Sequence, residues 1–141
     1  RTRSRRPKLE KTLQKFYDLL PESLRSVAAR YTQPLDSATA DYLHDELKAY
    51  RNQAAAESLK SDCIDIELVD RMVAALNKLL TDFNHFDDAE KMVISAAVRY
   101  FLDSEDAQLD FSDRFGFDDD LAVLNAALLA IGKEDMLVVR N

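Results

Sequence analysis

Glycine and proline are scarce in this sequence, and their scarcity restricts the folds that the chain can adopt. The 141 residues include only two glycines and three prolines. A β-domain of this length needs many tight turns, and glycine and proline supply much of the backbone geometry that those turns require. The sequence therefore predicts an all-α domain in which helices are joined by a few short connections.

Apolar residues recur at every third or fourth position over most of the chain, which is the spacing that places them on one face of a helix. The clearest of these stripes consists of Ile66, Val69, Val73, Leu76, Leu80 and Phe83. We predict an irregular bundle of five to seven helices. Its core is expected to include Leu76, Leu80, Phe83, Ile94, Val98, Phe101, Leu121, Leu124 and Leu128.

Several helix boundaries have local signals of their own. Asp36 or Ser37 is suited to cap the third helix, and Asp87 with Glu90 three residues later predicts a capping box. Gly132 is placed to end the last helix, which we expect to begin around residue 118. The apolar segment 136–139 is then predicted to dock on the bundle or to pair with another chain.

Charge is distributed unevenly between the start of the chain and the rest. Residues 1–15 carry a net charge of +6, so the remaining residues carry −13 of the total of −7. We predict a basic flexible arm at residues 1–7 and a single helical domain at residues 8–141. The arm is suited to contact phosphates, anionic lipid or the acidic body itself. Because the chain starts with Arg1 rather than methionine, we expect it to be a fragment or a processed form.

The densest polar feature lies between residues 103 and 120, where eight acids accompany a single base, Arg114. If residues 103–113 are helical, four of these acids share one helix face, and like charges at such spacings destabilise a helix. Water, Arg99, a basic partner or a divalent cation would offset the repulsion. A solvated acidic surface with helix-capping roles is the plainest interpretation, ahead of a basic partner and of a metal.

Catalytic motifs are not recognised. The serines lack a Gly-x-Ser-x-Gly turn, and Cys63 has no histidine near it in sequence. Neither His44 nor His85 has the Glu-x-x-His spacing of bundle metal sites. Two isolated glycines cannot build a phosphate-binding loop. A non-enzymatic role is therefore favoured, and a single cysteine favours a reducing, cytosolic setting. The longest uncharged apolar stretch is too short to span a bilayer.

The last third of the chain resembles the YkvA-like family, a bacterial domain of unknown function. The residues that carry the resemblance are Tyr100, Phe101, Leu102, Asp106, Asp110, Phe111, Gly116, Asp119, Asp120 and Leu121. The resemblance covers about 25 residues, without a gap, and implies a helix–connector–helix hairpin at about residues 92–132. It implies no reaction. By motif position it selects Asp106, Asp110, Asp119 and Asp120, which either cap and brace the hairpin or bind a partner or cation.

Three functional hypotheses follow from these patterns. The first is a non-enzymatic interaction or regulatory domain of the cytoplasm whose acidic face binds an unknown protein with a basic surface. The second is a divalent-metal-dependent activity at the same four aspartates, with no other cofactor expected. The third is recruitment to a membrane surface or nucleic acid through the basic arm, although an acidic body disfavours nucleic acid. The oligomeric state is left open.

Overall fold

The computed structural model describes residues 2–62, 64–103 and 117–139, with side chains from residue 10 onward. Within these residues there are six α-helices and no strand, which confirms the all-α prediction. Two short 3-10 turns follow the fourth and sixth helices, at Phe83–His85 and Glu134–Met136. The helices are α1 (Thr2–Leu19), α2 (Glu22–Arg30), α3 (Ser37–Ser58), α4 (Ile66–Thr81), α5 (Asp88–Phe101) and α6 (Asp118–Ala130).

Aspartate side chains begin the two helices in the middle of the chain. The Asp36 carboxylate accepts a hydrogen bond from the Thr39 backbone N–H at 2.8 Å, and Asp65 accepts one from Leu68 at 3.0 Å. Each bond satisfies one of the N–H groups that the first turn of a helix leaves without an intrahelical acceptor. The predicted start of α3 is confirmed.

The predicted capping box is also confirmed. The Asp87 carboxylate accepts from the Glu90 backbone N–H at 2.8 Å, and the Glu90 carboxylate accepts from the Asp87 N–H at 3.0 Å. At the other end of the chain Gly132 has a φ of +76°, a left-handed conformation that only glycine adopts without strain. It follows the last turn of α6, as predicted.

The Asp36 cap makes a prediction about pH. The hydrogen bond from Thr39 lowers the pKa of the Asp36 carboxyl below its ordinary value of 3.8. An acid whose pKa is lowered by folding stabilises the folded state at any pH above its pKa in the unfolded chain. This contribution disappears as the pH falls through the pKa of the folded state. We expect Asp36→Asn, which keeps a capping oxygen, to lower the melting temperature near neutral pH but not well below pH 3.8. Thermal melts of both proteins, followed by circular dichroism from neutral pH to below pH 3.8, are the measurement. A difference in melting temperature that did not change with pH would contradict the prediction.

Helix α5 is the centre of the bundle. It packs against α1, α2, α4 and α6, and most of its side chains are buried, including Val93, Ile94 and Val98. Helix α3 lies on the outside and packs mainly along α4. The predicted core residues are buried, except that Leu121 is only half-buried at its edge. The end of α5 is followed by Leu102 and by Asp103, where the acidic stretch of the sequence begins.

Helix α1 begins at Thr2, so it includes most of the residues predicted to form an arm. Arginine and lysine have high helix propensity, which makes a helical start compatible with the basic composition. Farther along, Phe16 is fully buried and Leu20 nearly so, and the helix packs against α5 and α6. The part of α1 around Phe16 is therefore an integral part of the bundle, and the flexible arm at residues 1–7 stays a prediction.

Candidate functional site

The four aspartates selected from the sequence fall into two groups. Asp106 and Asp110 lie outside the described residues. Asp119 and Asp120 occupy the first turn of α6, together with Asp118. Negative side chains are favourable at this end of a helix because the backbone N–H groups there carry partial positive charge. All three acids of this turn thus have a structural reason to be present, whether or not they bind anything.

The two described aspartates lie in different environments although they are neighbours in sequence. Asp119 is exposed, whereas Asp120 is only 3% exposed. A buried carboxylate is costly unless the protein pairs it or donates hydrogen bonds to it, so Asp120 is suited to an internal, bracing role. Of this pair, Asp119 is the residue that a partner can reach.

An aromatic and polar contact fixes the place where the acidic stretch begins. The Tyr31 hydroxyl at the end of α2 donates a hydrogen bond to Oδ2 of Asp103, just beyond α5. The Tyr31 ring meets the Tyr100 ring edge-on with 6.4 Å between centroids. The guanidinium of Arg30 lies 5.9 Å from the centre of the Tyr31 ring. Helix α2 thereby holds Asp103 in a set position at the end of the bundle.

Arg99, which the sequence suggested as a counter-charge for the acids, makes its described contact within its own helix. Its Nε donates to the hydroxyl of the fully buried Ser95 at 2.9 Å. A cation in the last turn of α5 also interacts favourably with the helix dipole. The described contact is thus one that supports α5 itself.

The described residues do not bring together three or more histidine, cysteine, aspartate or glutamate side chains that could hold a metal ion. His44 Nδ1 lies 2.9 Å from the side-chain oxygen of Asn77 on α4. His85 is exposed in the turn after α4, close to where the sequence placed the end of that helix. The metal hypothesis at the four aspartates therefore stays a prediction, since two of them are outside the described residues.

The structure also shows a polar groove between α3 and α4 that sequence reasoning missed. Arg51 donates to both carboxylate oxygens of Asp70, at 2.7 and 3.2 Å, and this pairing raises the pKa of the guanidinium. His44 and Lys48 line the same open groove, which has a volume of about 530 Å³. The i, i+4, i+7 spacing of His44, Lys48 and Arg51 was the available signal, because it places three basic side chains on one face of α3.

The groove offers hydrogen-bond donors but limited binding energy. Both members of the Arg51–Asp70 pair are more than two-fifths exposed, so solvent screens their attraction. The polar side chains of the groove therefore serve to join α3 to α4, and we assign them no further function.

The described helices define the class: an all-α bundle in which α5 and α6 pack together and α6 begins with three aspartates. Among the described residues, no helix has the length and apolarity needed to cross a membrane. Comparison of the chain with models of known protein families, with curated proteins and with solved structures gave no match.

Proposed function

We propose that this chain is a non-enzymatic interaction domain whose acidic surface, at the end of the bundle where α5 leads to α6, binds a basic segment of another protein. The observation that carries the proposal is the exposure of Asp118 and Asp119 in the first turn of α6. Both residues begin a helix whose side chains are largely buried farther along, so the bundle fixes the place at which a partner would meet them.

The net charge of the chain beyond residue 15 supports a basic partner. Beyond residue 15 the chain carries a net charge of −13, which attracts basic segments from a distance and repels nucleic acid and anionic membranes. No hydrogen bond or ion pair to Asp119 is found within the part of the chain that the structure describes. Electrostatic complementarity of this kind sets specificity and association rate more than raw affinity, as a regulatory contact requires.

Asp106 and Asp110 belong to the proposed surface through the YkvA-like resemblance. The resemblance supports a hairpin at about residues 92–132. Helix α6 and all of α5 after its first turn lie within that range, and the two helices pack together. Asp120 enters the proposal as a bracing residue because it is buried. We also propose a cytoplasmic location, on the ground that Cys63, the one cysteine, favours a reducing compartment.

The described polar contacts support a binding role over a catalytic one. His44 is engaged with the Asn77 amide, and Arg51 is engaged with the Asp70 carboxylate. General acid–base chemistry needs a titratable group within hydrogen-bond reach of a substrate, usually in a cleft. The groove between α3 and α4 is open to solvent, and an open surface suits a protein segment better than it suits a reacting small molecule.

The proposal predicts how charge removal changes the binding of a basic probe. The probe is a fluorescein-labelled lysine octapeptide, titrated by fluorescence anisotropy against the full chain and against a triple variant, Asp106→Asn, Asp110→Asn and Asp119→Asn. We expect the triple variant to raise Kd about five-fold or more, a loss of about 1 kcal/mol, in about 50 mM salt. The difference should shrink in about 300 mM salt, because the Debye length falls below the spacing of exposed charges.

A control variant with the same loss of charge is available on α3. Asp41, Asp45 and Glu46 are all exposed, so Asp41→Asn with Asp45→Asn and Glu46→Gln removes three negative charges from another surface. We expect this control to raise Kd by less than half as much as the α5–α6 variant. Equal losses in the two variants would mean that the probe responds to net charge alone and would contradict a localised site.

A further inference from the structure

The segment after α6 lies extended against the bundle rather than continuing as helix. Val138 is 6% exposed, while Leu137 and Val139 on either side are 39% and 67% exposed. This alternation has the two-residue period of an extended strand, in which successive side chains point to opposite sides. The segment therefore buries one aliphatic anchor and leaves its neighbours on the outside.

Helix α6 contacts the backbone of this segment through one side chain. Asn125 Nδ2 donates to the Val138 carbonyl at 2.7 Å, and Asn125 Oδ1 accepts from the Val138 N–H at 3.0 Å. A carboxamide that pairs with both main-chain groups of one residue imitates a neighbouring strand. These two bonds hold an extended backbone whatever its side chains are.

Helix α4 contacts the segment from the other wall. Arg71 Nη2 donates to the Val139 carbonyl at 3.0 Å. Beside the segment is an opening of about 450 Å³, lined on α4 by Arg71, Ala74, Ala75 and Lys78. The slot between α4 and α6 thus combines a backbone clamp, a pocket for one aliphatic side chain and a basic rim with room beside the bound segment.

We propose that this slot is a receptor for an extended peptide segment of another protein, with a branched aliphatic anchor and acidic neighbours, and that residues 137–139 occupy it as an internal competitor. The chain's own segment demonstrates the fit: Val138 fills the pocket, and Glu134 and Asp135 precede it in sequence. Arg71 and Lys78 make the α4 side of the slot basic, which would favour acidic residues flanking the anchor, although the Lys78 ammonium is also 3.0 Å from the Asp82 carboxylate. This partner is opposite in charge to the one proposed for the α5–α6 surface.

The chain's own segment competes for the slot more effectively than a separate peptide does, because it is covalently attached beside the slot. A tethered segment experiences a high effective concentration at its own slot, in the millimolar range for short linkers, so an external peptide must outcompete it. Undocking the chain's own segment should therefore open the slot. Val138→Asp in the full chain does this, because an unpaired carboxylate is not stable in an apolar pocket.

The experiment uses a fluorescein-labelled peptide with the sequence of residues 133–139, titrated by anisotropy against full-length proteins. We expect Val138→Asp to bind this peptide with a Kd at least ten-fold lower than the wild type. Adding Asn125→Ala to Val138→Asp should return binding to the weak wild-type level. The matched control is Val139→Asp, which adds the same charge at a solvent-facing position and should leave the slot occupied and binding weak.

A second peptide, with aspartate in place of the anchor valine, should bind none of the proteins. If Val138→Asp binds the valine peptide no more tightly than the wild type does, or binds the aspartate peptide equally well, the segment is only structural and the proposal is wrong. If circular dichroism shows that Val138→Asp is unfolded, the proposal is tested instead by hydrogen exchange of the Val138 amide in the wild type. Excess valine peptide should accelerate that exchange, and an unchanged rate would overturn the proposal.

Discussion

Replacing Phe117 by alanine is expected to lower the free energy of unfolding by about 3–5 kcal/mol. Phe117 is 1% exposed and immediately precedes α6, where its carbonyl accepts the Leu121 N–H at 2.9 Å. Removing the ring leaves a cavity that the surrounding helices cannot fill, because α6 is already held against α1 and α5. Urea unfolding followed by circular dichroism gives the change directly.

The control for this experiment is Leu59→Ala. Leu59 is 89% exposed at the end of α3, so its truncation should change stability by less than about 0.5 kcal/mol. A loss below about 1 kcal/mol for Phe117→Ala would contradict the structure, since it would mean that α6 does not depend on this anchor.

Phe16→Ala is expected to destabilise the protein by a similar amount, about 3–5 kcal/mol. Phe16 is fully buried and packs beside Tyr17, with 5.6 Å between ring centroids. The prediction tests whether α1 is packed into the core, because a helix lying loosely on the surface would tolerate the change. Thermal and urea unfolding of the variant are the measurements.

Leu19→Ala on the same helix is the matched control for Phe16. Leu19 is 42% exposed, and its truncation should cost less than half as much. Comparable small effects for both variants would show that α1 contributes little burial, and would contradict its place in the bundle.

The parts of the fold that could be predicted from the sequence are those encoded locally. An aspartate at position 87 and a glutamate at position 90 specify a capping box wherever a helix follows, and Gly132 ends α6 for reasons internal to its own backbone. The buried stripes were also readable, because a helix repeats every 3.6 residues whatever lies opposite it.

Contacts between helices could not be predicted from the sequence in the same way. The pairing of Arg51 with Asp70 depends on how α3 lies along α4, and the clamp of Asn125 on Val138 depends on where the chain turns after Gly132. Both involve ordinary surface residue types, whose partners are fixed only when the bundle is assembled. The α5–α6 surface has the same dependence, and two of its four aspartates stay predictions.

For Asp120 the sequence held more information than the motif suggested. Counting from Asp120, the buried residues Val123, Leu124, Ala127 and Leu128 fall at i+3, i+4, i+7 and i+8. Asp120 therefore lies on the apolar stripe of α6, while Asp119, one residue earlier, is turned away from it. Helical spacing applied to the acids themselves would have separated the inward aspartate from the outward one.

The central position of α5 has a consequence for how the molecule comes apart. Helices from both ends of the chain, α1 and α6, rest on it, and so do α2 and α4. The chain cannot be divided into two independently folding halves, because the half without α5 would lose its main packing partner and the half with α5 would expose one side of it. The amino-terminal and carboxyl-terminal thirds should melt together as one cooperative unit, so damage at either end is felt throughout.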